Sequence, residues 1–390
     1  MVLLWILFLN TIDMKYITLI IIISFSLCSC ASKDIGEDPN FFAPDKFKVV
    51  NSTPDTTRIL KLEKLPIEVF GPEEICVKDS LLIVKTMARD KKLTIVNLRT
   101  NQVIARLAPE GRGPNDFFGC TPNQNFFYND KGDLIMEVND VEYLKAINIS
   151  RSLREEGTFL EYSRKFKDIY ENIDNNRHGF KTLFAYGDES YFVKHEISYR
   201  DAREGKYFPP KYIIKTPNDQ INVEAYPESI ESEHVSGISQ AMGIYASTVR
   251  IKPDHTKAVD ITSGPDYINI IDLKTGEVTA VAEEGGCRYA DYARSGDLPK
   301  FKRNIFSFGV SDKYIVALGN GADYYQTPEG RRRWPSIKVF DWKGNLVASA
   351  MFPKGLYLDK MAFDSDNNMA YFFVRQTEEF YRCNLSELLK

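Results

Sequence analysis

Histidine is scarce in this sequence. There are four in 390 residues, at His178, His195, His234 and His255, too far apart to suggest a general base with its partner or a zinc cluster. Neither G-x-S-x-G nor H-E-x-x-H occurs, and no glycine-rich phosphate loop of either common kind is present. The six cysteines include no C-x-x-C pair; Cys76, Cys120, Cys287 and Cys383 are widely spaced and read as buried free thiols, with one disulfide the alternative, rather than as a metal site or a dithiol. A basic excess is also missing. Fifty Lys and Arg stand against 54 Asp and Glu, for a net charge of -4, so there is no electrostatic footprint for nucleic acid. No cofactor motif and no metal motif can be named, and the chain reads as a non-enzyme.

No apolar run is long enough to span a bilayer, which takes about 20 residues. The longest candidate, Tyr16 to Leu27, has the length of a signal-peptide core and follows Met14-Lys15. It ends in Leu27-Cys28-Ser29-Cys30, which resembles the bacterial lipobox and implies lipidation of Cys30. Residues 1–29 are therefore expected to be a signal peptide, with Met14 the true start. Residues 30–56, polar and aperiodic, are expected to be a tether after the lipidated cysteine. Residues 57–390 form the folded domain.

Aromatics are plentiful there, with 25 Phe and 21 Tyr, a bias that suits strands. "EEICVKD", "SLLIVKTMA", "KLTIVNL" and "QVIARLA" are short apolar runs separated by polar turns, a four-stranded meander. Its last hairpin recurs. "TIVNLRTNQVIARL" matches "INIIDLKTGEVTAVA" and "IKVFDWKGNLVASAM", with weaker copies "KAINISRSL", "YIIKTPNDQINV" and "FYRCNLSELL". Anchored at Val96, Ile147, Ile214, Ile271, Phe340 and Cys383, the copies step by 51, 67, 57, 69 and 43 residues. Six copies of one supersecondary unit predict an all-β, six-bladed β-propeller of four-stranded antiparallel blades. The last copy has only three strands, so Arg58–Phe70 is expected to supply its missing outer strand and close the ring.

Lipobox, tether, six blades, the "GRGPNDF" element and the "KVFDWKGN" turn together resemble the six-bladed, TolB-like propeller lipoproteins of Bacteroidota. The resemblance covers nearly the whole mature chain. It implies the fold and a place in the cell envelope, at the outer membrane through the lipid, and it implies no reaction.

"APEGRGPNDF" (108–117) reads mainly as a corner between the first two blades. Gly111 and Gly113 free the backbone, Pro114 fixes φ, and Asn115-Asp116 suits a turn. Arg112 either pairs with Asp116 or lines the channel mouth.

Strand parity puts the connections between strands two and three, and between blades, on one face. The long insertions 198–210, 283–304 and 319–335 all fall there, joined by the linker 161–182, while the other face is clipped to tight turns. The long loops carry Arg200, Arg203, Tyr289, Arg294, Tyr324, Tyr325, Arg331, Arg332, Arg333 and Trp334. Loops on a rigid scaffold are where binding usually sits. Together with Arg112 these form the expected ligand-binding set. Aromatic faces suit sugars or peptide side chains, and guanidinium forks suit carboxylates. The expected partners are the membrane, through the anchor, and a carbohydrate, peptide or envelope protein. The competing reading is a calcium-dependent propeller hydrolase or lactonase. "DSDNN" (364–368) is read as a hairpin turn rather than a calcium loop, since it lacks the sixth-position glycine and has Arg375 where a bidentate glutamate belongs.

Overall fold

The computed structural model describes residues 47–51, 55, 57–169, 181–187, 189–195, 203–204, 211–223, 225, 246–262, 267–283, 302–303, 305, 307–319, 322–323, 335–353 and 355–390. The chain divides into units Met1–Phe41 and Phe42–Lys390, and all of these residues lie in the second. Cys30 and the signal segment are outside the described residues.

Two strands precede the ring, β1 (Phe47–Val50) and β2 (Glu63–Leu65). Blade 1 is β3 (Pro72–Lys78), β4 (Leu81–Thr86), β5 (Lys91–Asn97) and β6 (Gln102–Pro109). Blade 2 is β7 (Thr121–Tyr128), β8 (Leu134–Asp140), β9 (Tyr143–Asn148) and β10 (Leu160–Lys165). Helix α1 (Ile149–Arg154) lies before β10, and helix α2 (Phe166–Ile169) follows it. Blade 3 is β11 (Lys181–Gly187), β12 (Ser190–His195), β13 (Lys211–Lys215) and β14 (Gln220–Val223). Blade 4 is β15 (Ser247–Ile251), β16 (Lys257–Thr262), β17 (Ile268–Asp272) and β18 (Val278–Glu283). After the short β19 (Lys302–Arg303), blade 5 is β20 (Ser307–Val310), β21 (Tyr314–Gly319), β23 (Ser336–Asp341) and β24 (Leu346–Met351), with β22 (Ala322–Asp323) inserted after β21. Blade 6 is β25 (Lys360–Asp364), β26 (Met369–Val374) and β27 (Glu379–Asn384), completed by β2.

The ring closes as the sequence predicts. Glu63, Lys64 and Leu65 pair antiparallel with Arg382, Tyr381 and Phe380, so the first folded segment covers the edge that the last strand would otherwise expose. Arg382 adds a bidentate bond to Glu63.

The tether needs correcting at its end. Phe47–Val50 pairs in parallel with Ala280–Glu283 as a fifth strand of blade 4, and Val50 is buried. Four residues with Val49 facing solvent give no periodic signal, which is why a strand hides inside a polar stretch. The expected linker 161–182 is likewise shorter than it looks, because its first five residues belong to β10.

The physical basis of the repeat is the hairpin between the third and fourth strands. All six anchors are buried, and in five blades the next residue is Asn or Asp followed by Leu, Ile or Trp. The Asn97 side chain accepts the amide of Arg99, Asp272 those of Lys274 and Thr275, and Asp341 those of Lys343 and Asn345. Asn384 does the same for Ser386. In blade 2 the same position, Asn148, caps α1 by accepting from the Arg151 amide at 2.8 Å, so one blade turns the motif into a helix start. The following apolar residue tucks under the first turn of its own blade. Leu98 and Leu273 donate their amides to Ser80 and Thr256, and the Trp342 indole donates to the Ser311 carbonyl at 2.9 Å. Blade 3 has Lys215-Thr216 here, and Thr216 makes its turn with Asp219 instead.

Gly344 explains the close fit between blades. It holds φ at +76°, and a Cβ there would sit 2.4 Å from Val281 on the outer strand of blade 4.

Candidate binding face

The strand order gives two faces. On the turn face, first-to-second and third-to-fourth strand connections are short and bonded to their neighbours: Lys78 pairs with Asp366 at 2.5 Å, and the Tyr128 hydroxyl donates to Asp79. Asp364 to Asn368 lies here as a hairpin turn, its Asp364 carboxylate accepting the amides of Asp366 and Asn367. The connection containing α1 is the longer exception.

On the loop face the blade-to-blade corners meet the second-to-third connections. The Glu110 amide donates to the Asp90 carbonyl at 3.0 Å and the Met87 amide to the Gly71 carbonyl at 2.9 Å. The flanking strands of the three long insertions all end here. Two of them are joined, because β19 and β22 pair antiparallel through Lys302–Asp323 and Arg303–Ala322.

The 108–117 element is a corner, as expected. Asp116 closes it by accepting the Gly113 amide at 2.7 Å, and a Cβ at Gly111 would come within 2.2 Å of that carboxylate. Phe117 is fully buried beneath it. Asp116 forms no ion pair with Arg112 among the described residues; Arg112 is exposed on the loop face. Lys145 anchors the corner from below, donating to the Asp116 carbonyl at 2.5 Å, pairing with buried Asp140 at 2.6 Å and lying 4.6 Å from the Phe117 ring.

Of the other predicted site residues, Arg203 is described and exposed. Arg200, Tyr289, Arg294, Tyr324, Tyr325, Arg331, Arg332, Arg333 and Trp334 lie outside the described residues.

Sequence reasoning missed the apolar side chains that this face presents. Phe70, Met87, Phe118 and Val141 are 80%, 68%, 66% and 63% exposed, more than any other large apolar side chain among the described residues. All four stand on the loop face of blades 1 and 2, at the corner or the second-to-third connection. The backbones at Met87 and Phe118 are fixed. Gly71, at φ +59°, brings its α-carbon against Met87, where an added Cβ would lie 3.3 Å from Met87 Cβ. The Asp140 carboxylate receives the amides of Phe118 and Gly119 at 2.9 and 2.6 Å. A buried ion pair thus holds an exposed phenylalanine in place. Fixed apolar groups facing water, several together, mark interaction surfaces more often than chance.

Between the faces, polar groups join neighbouring blades. Glu137 is buried, accepts from Tyr162 and Asn125 on its own blade and takes the Ala185 amide of blade 3 at 3.3 Å. Burial pushes its carboxyl up to about 7 against the pull of those hydrogen bonds. Lys194 of blade 3 reaches Ser247 at 2.5 Å and Asp260 at 3.9 Å on blade 4. The thiols are structural: Cys76, Cys120 and Cys383 are free and buried, and burial pushes Cys76 and Cys383 up to about 12. Cys287 is outside the described residues.

Solved structures similar in chain course include a candidate exported protein of Bacteroides fragilis, 10% identical, with a TM-score of 0.49 over 86% of this chain and 98% of that one. The β-propeller domain of Cps50 (Swd1) from Myceliophteria thermophila is 11% identical, with a TM-score of 0.39 over 83% of this chain and 99% of the other. The WD40 domain of Pan2 from Neurospora crassa is 12% identical, with a TM-score of 0.41 over 86% and 97%. At these values no activity or location is carried across, and the six-bladed fold rests on the strand pairing itself. No family model matches the sequence, and no curated protein matches it.

Proposed function

We propose that this chain is an outer-membrane lipoprotein of the six-bladed, TolB-like kind, anchored through Cys30, and that its loop face is a binding module with no catalytic role. The observation that carries the binding reading is the asymmetry of exposure. Phe70, Met87, Phe118 and Val141 are held out to solvent on the face that also bears Arg112, Arg203 and the long insertions. The ligand is a molecule with rings and carboxylates, an acidic oligosaccharide or a peptide terminus, because aromatic and aliphatic surfaces beside guanidinium groups suit both.

The test uses the full-length protein purified in detergent on glycan and peptide arrays. A hit should weaken by about 1–3 kcal/mol when Phe118, Arg332 or Trp334 is replaced by alanine, if that residue is a hot spot. Lys343→Ala on the turn face should be silent. A hit that depends on Lys343 and not on the loop face overturns the reading, as does an array without hits. The anchor is checked separately: Cys30→Ala should abolish incorporation of a labelled fatty acid, and persistent labelling defeats it.

A further inference from the structure

The innermost strands hold a buried cation that forms no ion pair among the described residues. Arg250, on β15, is 9% exposed. Its Nη1 donates to the carbonyl of Val249, its own neighbour, at 2.8 Å, and its Nε is buried without a hydrogen-bond partner. Two other buried cations differ: Lys145 is paired with Asp140, and Lys194 with Asp260 and Ser247. Among the described residues Arg250 forms no ion pair. Taking a guanidinium out of water without an anion costs several kcal/mol, and Arg stays charged at any working pH. Burial already weighs on it, lowering its affinity for the proton.

The charges that Arg250 feels lie across the axis. Its electrostatic neighbours are Cys76 and Glu74, both on β3 of blade 1, which stands opposite blade 4 in a ring of six. Cys76 is neutral, because burial pushes its thiol up to about 12. Glu74 is already committed to Lys360 on β25, and Glu73 beside it pairs with Lys85 at 3.0 Å. Both pairs are partly exposed, so water reaches this end of the axis. Two cations, Arg250 and Lys360, thus share one acid, Glu74, and the remainder is a single positive charge. The Phe308 ring of blade 5, itself buried in the core, lies 5.6 Å from the guanidinium carbon and holds the side chain from one side.

We propose that the axis of this propeller is a binding site for a monocarboxylate, gripped by the Arg250 guanidinium. A planar fork of N–H donors matches a carboxylate in two bonds, and one unit of uncompensated charge suits a monoanion better than a phosphate dianion. This site does not rest on the loop-face reading, since the arrays can fail while Arg250 still binds a carboxylate.

Thermal unfolding of the full-length protein tests it at constant ionic strength, with sodium acetate or sodium benzoate replacing sodium chloride and sodium phosphate as a fourth arm. Both carboxylates should raise the midpoint saturably, by about 2–4 °C at saturation. Arg250→Met should erase the response. Lys360→Met should free Glu74 to serve Arg250 and weaken the carboxylate by about tenfold. Midpoints no different from chloride overturn the proposal, as does phosphate acting at lower concentration than either carboxylate. An equal response in Arg250→Met also overturns it. Should Arg250→Met fail to fold, an unchanged carboxylate response in Lys360→Met is the overturning result.

Discussion

The two faces of the ring are built from the same strands and solve opposite problems. On the turn face the third-to-fourth hairpins of blades 1, 4, 5 and 6 feed their own backbone amides into an Asn or Asp side chain and lay an apolar residue inward, as Leu98, Leu273, Trp342 and Leu385 do. On the loop face the corners are fixed as firmly, yet Phe70, Met87 and Phe118 point away from the core. The difference teaches that rigidity and burial are separable. A backbone can be pinned by buried groups such as Asp140 and Lys145 in order to hold a side chain out rather than in.

The largest effect expected is on the turn face. Trp342→Ala should cost about 3–5 kcal/mol in denaturant unfolding, since the indole is buried and bonded to Ser311; a cost near that of Phe118→Ala would break the comparison. Next comes the interior between the faces. The raised carboxyl of Glu137 gives stability that is fully present below its ordinary value of 4.5 and is lost as pH rises through about 7. The change is on the order of 3 kcal/mol, and Glu137→Gln should flatten that part of the pH profile. Gly344→Ala should then cost more than Gly132→Ala, although both sit at positive φ. The first new methyl meets Val281 and the second meets nothing within 4 Å, so the left-handed penalty of roughly 1–2 kcal/mol is all the second pays.

Acid should then divide the turn face itself. Burial works to raise the carboxyls of Asp272 and Asp341, but hydrogen bonds from Thr275 and Lys274, and from Asn345 and Lys343, outweigh it and hold both below the ordinary value of 3.8. Their contribution is present above that value and is lost as pH falls through the lowered one. Amide exchange at Lys274, Thr275, Lys343 and Asn345 should quicken in acid, while Arg99 and Ser386, held by Asn97 and Asn384, keep their protection. Uniform loosening of all these turns would count against the carboxylate caps. Smallest of all, Phe70→Ser, Met87→Ser and Phe118→Ser should each move stability by no more than about 0.5 kcal/mol, read as an unshifted denaturant midpoint.

The turn face was the legible one. Its pattern, a buried anchor, then Asn or Asp, then an apolar residue, is local, so it repeats in sequence and gives away blade number, hairpin position and the closing role of Arg58–Phe70, within which Glu63–Leu65 pairs with the last strand. Parity also told which connections share a face. What stayed hidden depends on distant neighbours. Phe118 and Phe117 are adjacent and chemically identical, and only the fold decides that one is buried and the other exposed. Arg250 sits in "STVRI" like any outward strand cation, yet among the described residues it forms no ion pair, while Glu74 is held by Lys360. Lys215-Thr216 shows the reverse: the local signal is missing, yet blade 3 still forms its fourth strand, because Tyr212–Lys215 pairs with Gln220–Val223 regardless.

The segment before blade 1 does more than seal the ring. It lies on blade 4 as β1, touches blade 5 where Lys48 reaches Asn345, the Asp55 amide meets Ser349 and Leu60 bonds to Met351, and only then completes blade 6 as β2. Tension applied upstream of Phe47 therefore arrives first at a four-residue parallel strand on the rim of blade 4. That strand can peel away while the Glu63–Leu65 seam, two blades further on, bears no strain. β1 is thus the first contact with the ring that a pull from upstream would load, and the Glu63–Leu65 seam the last.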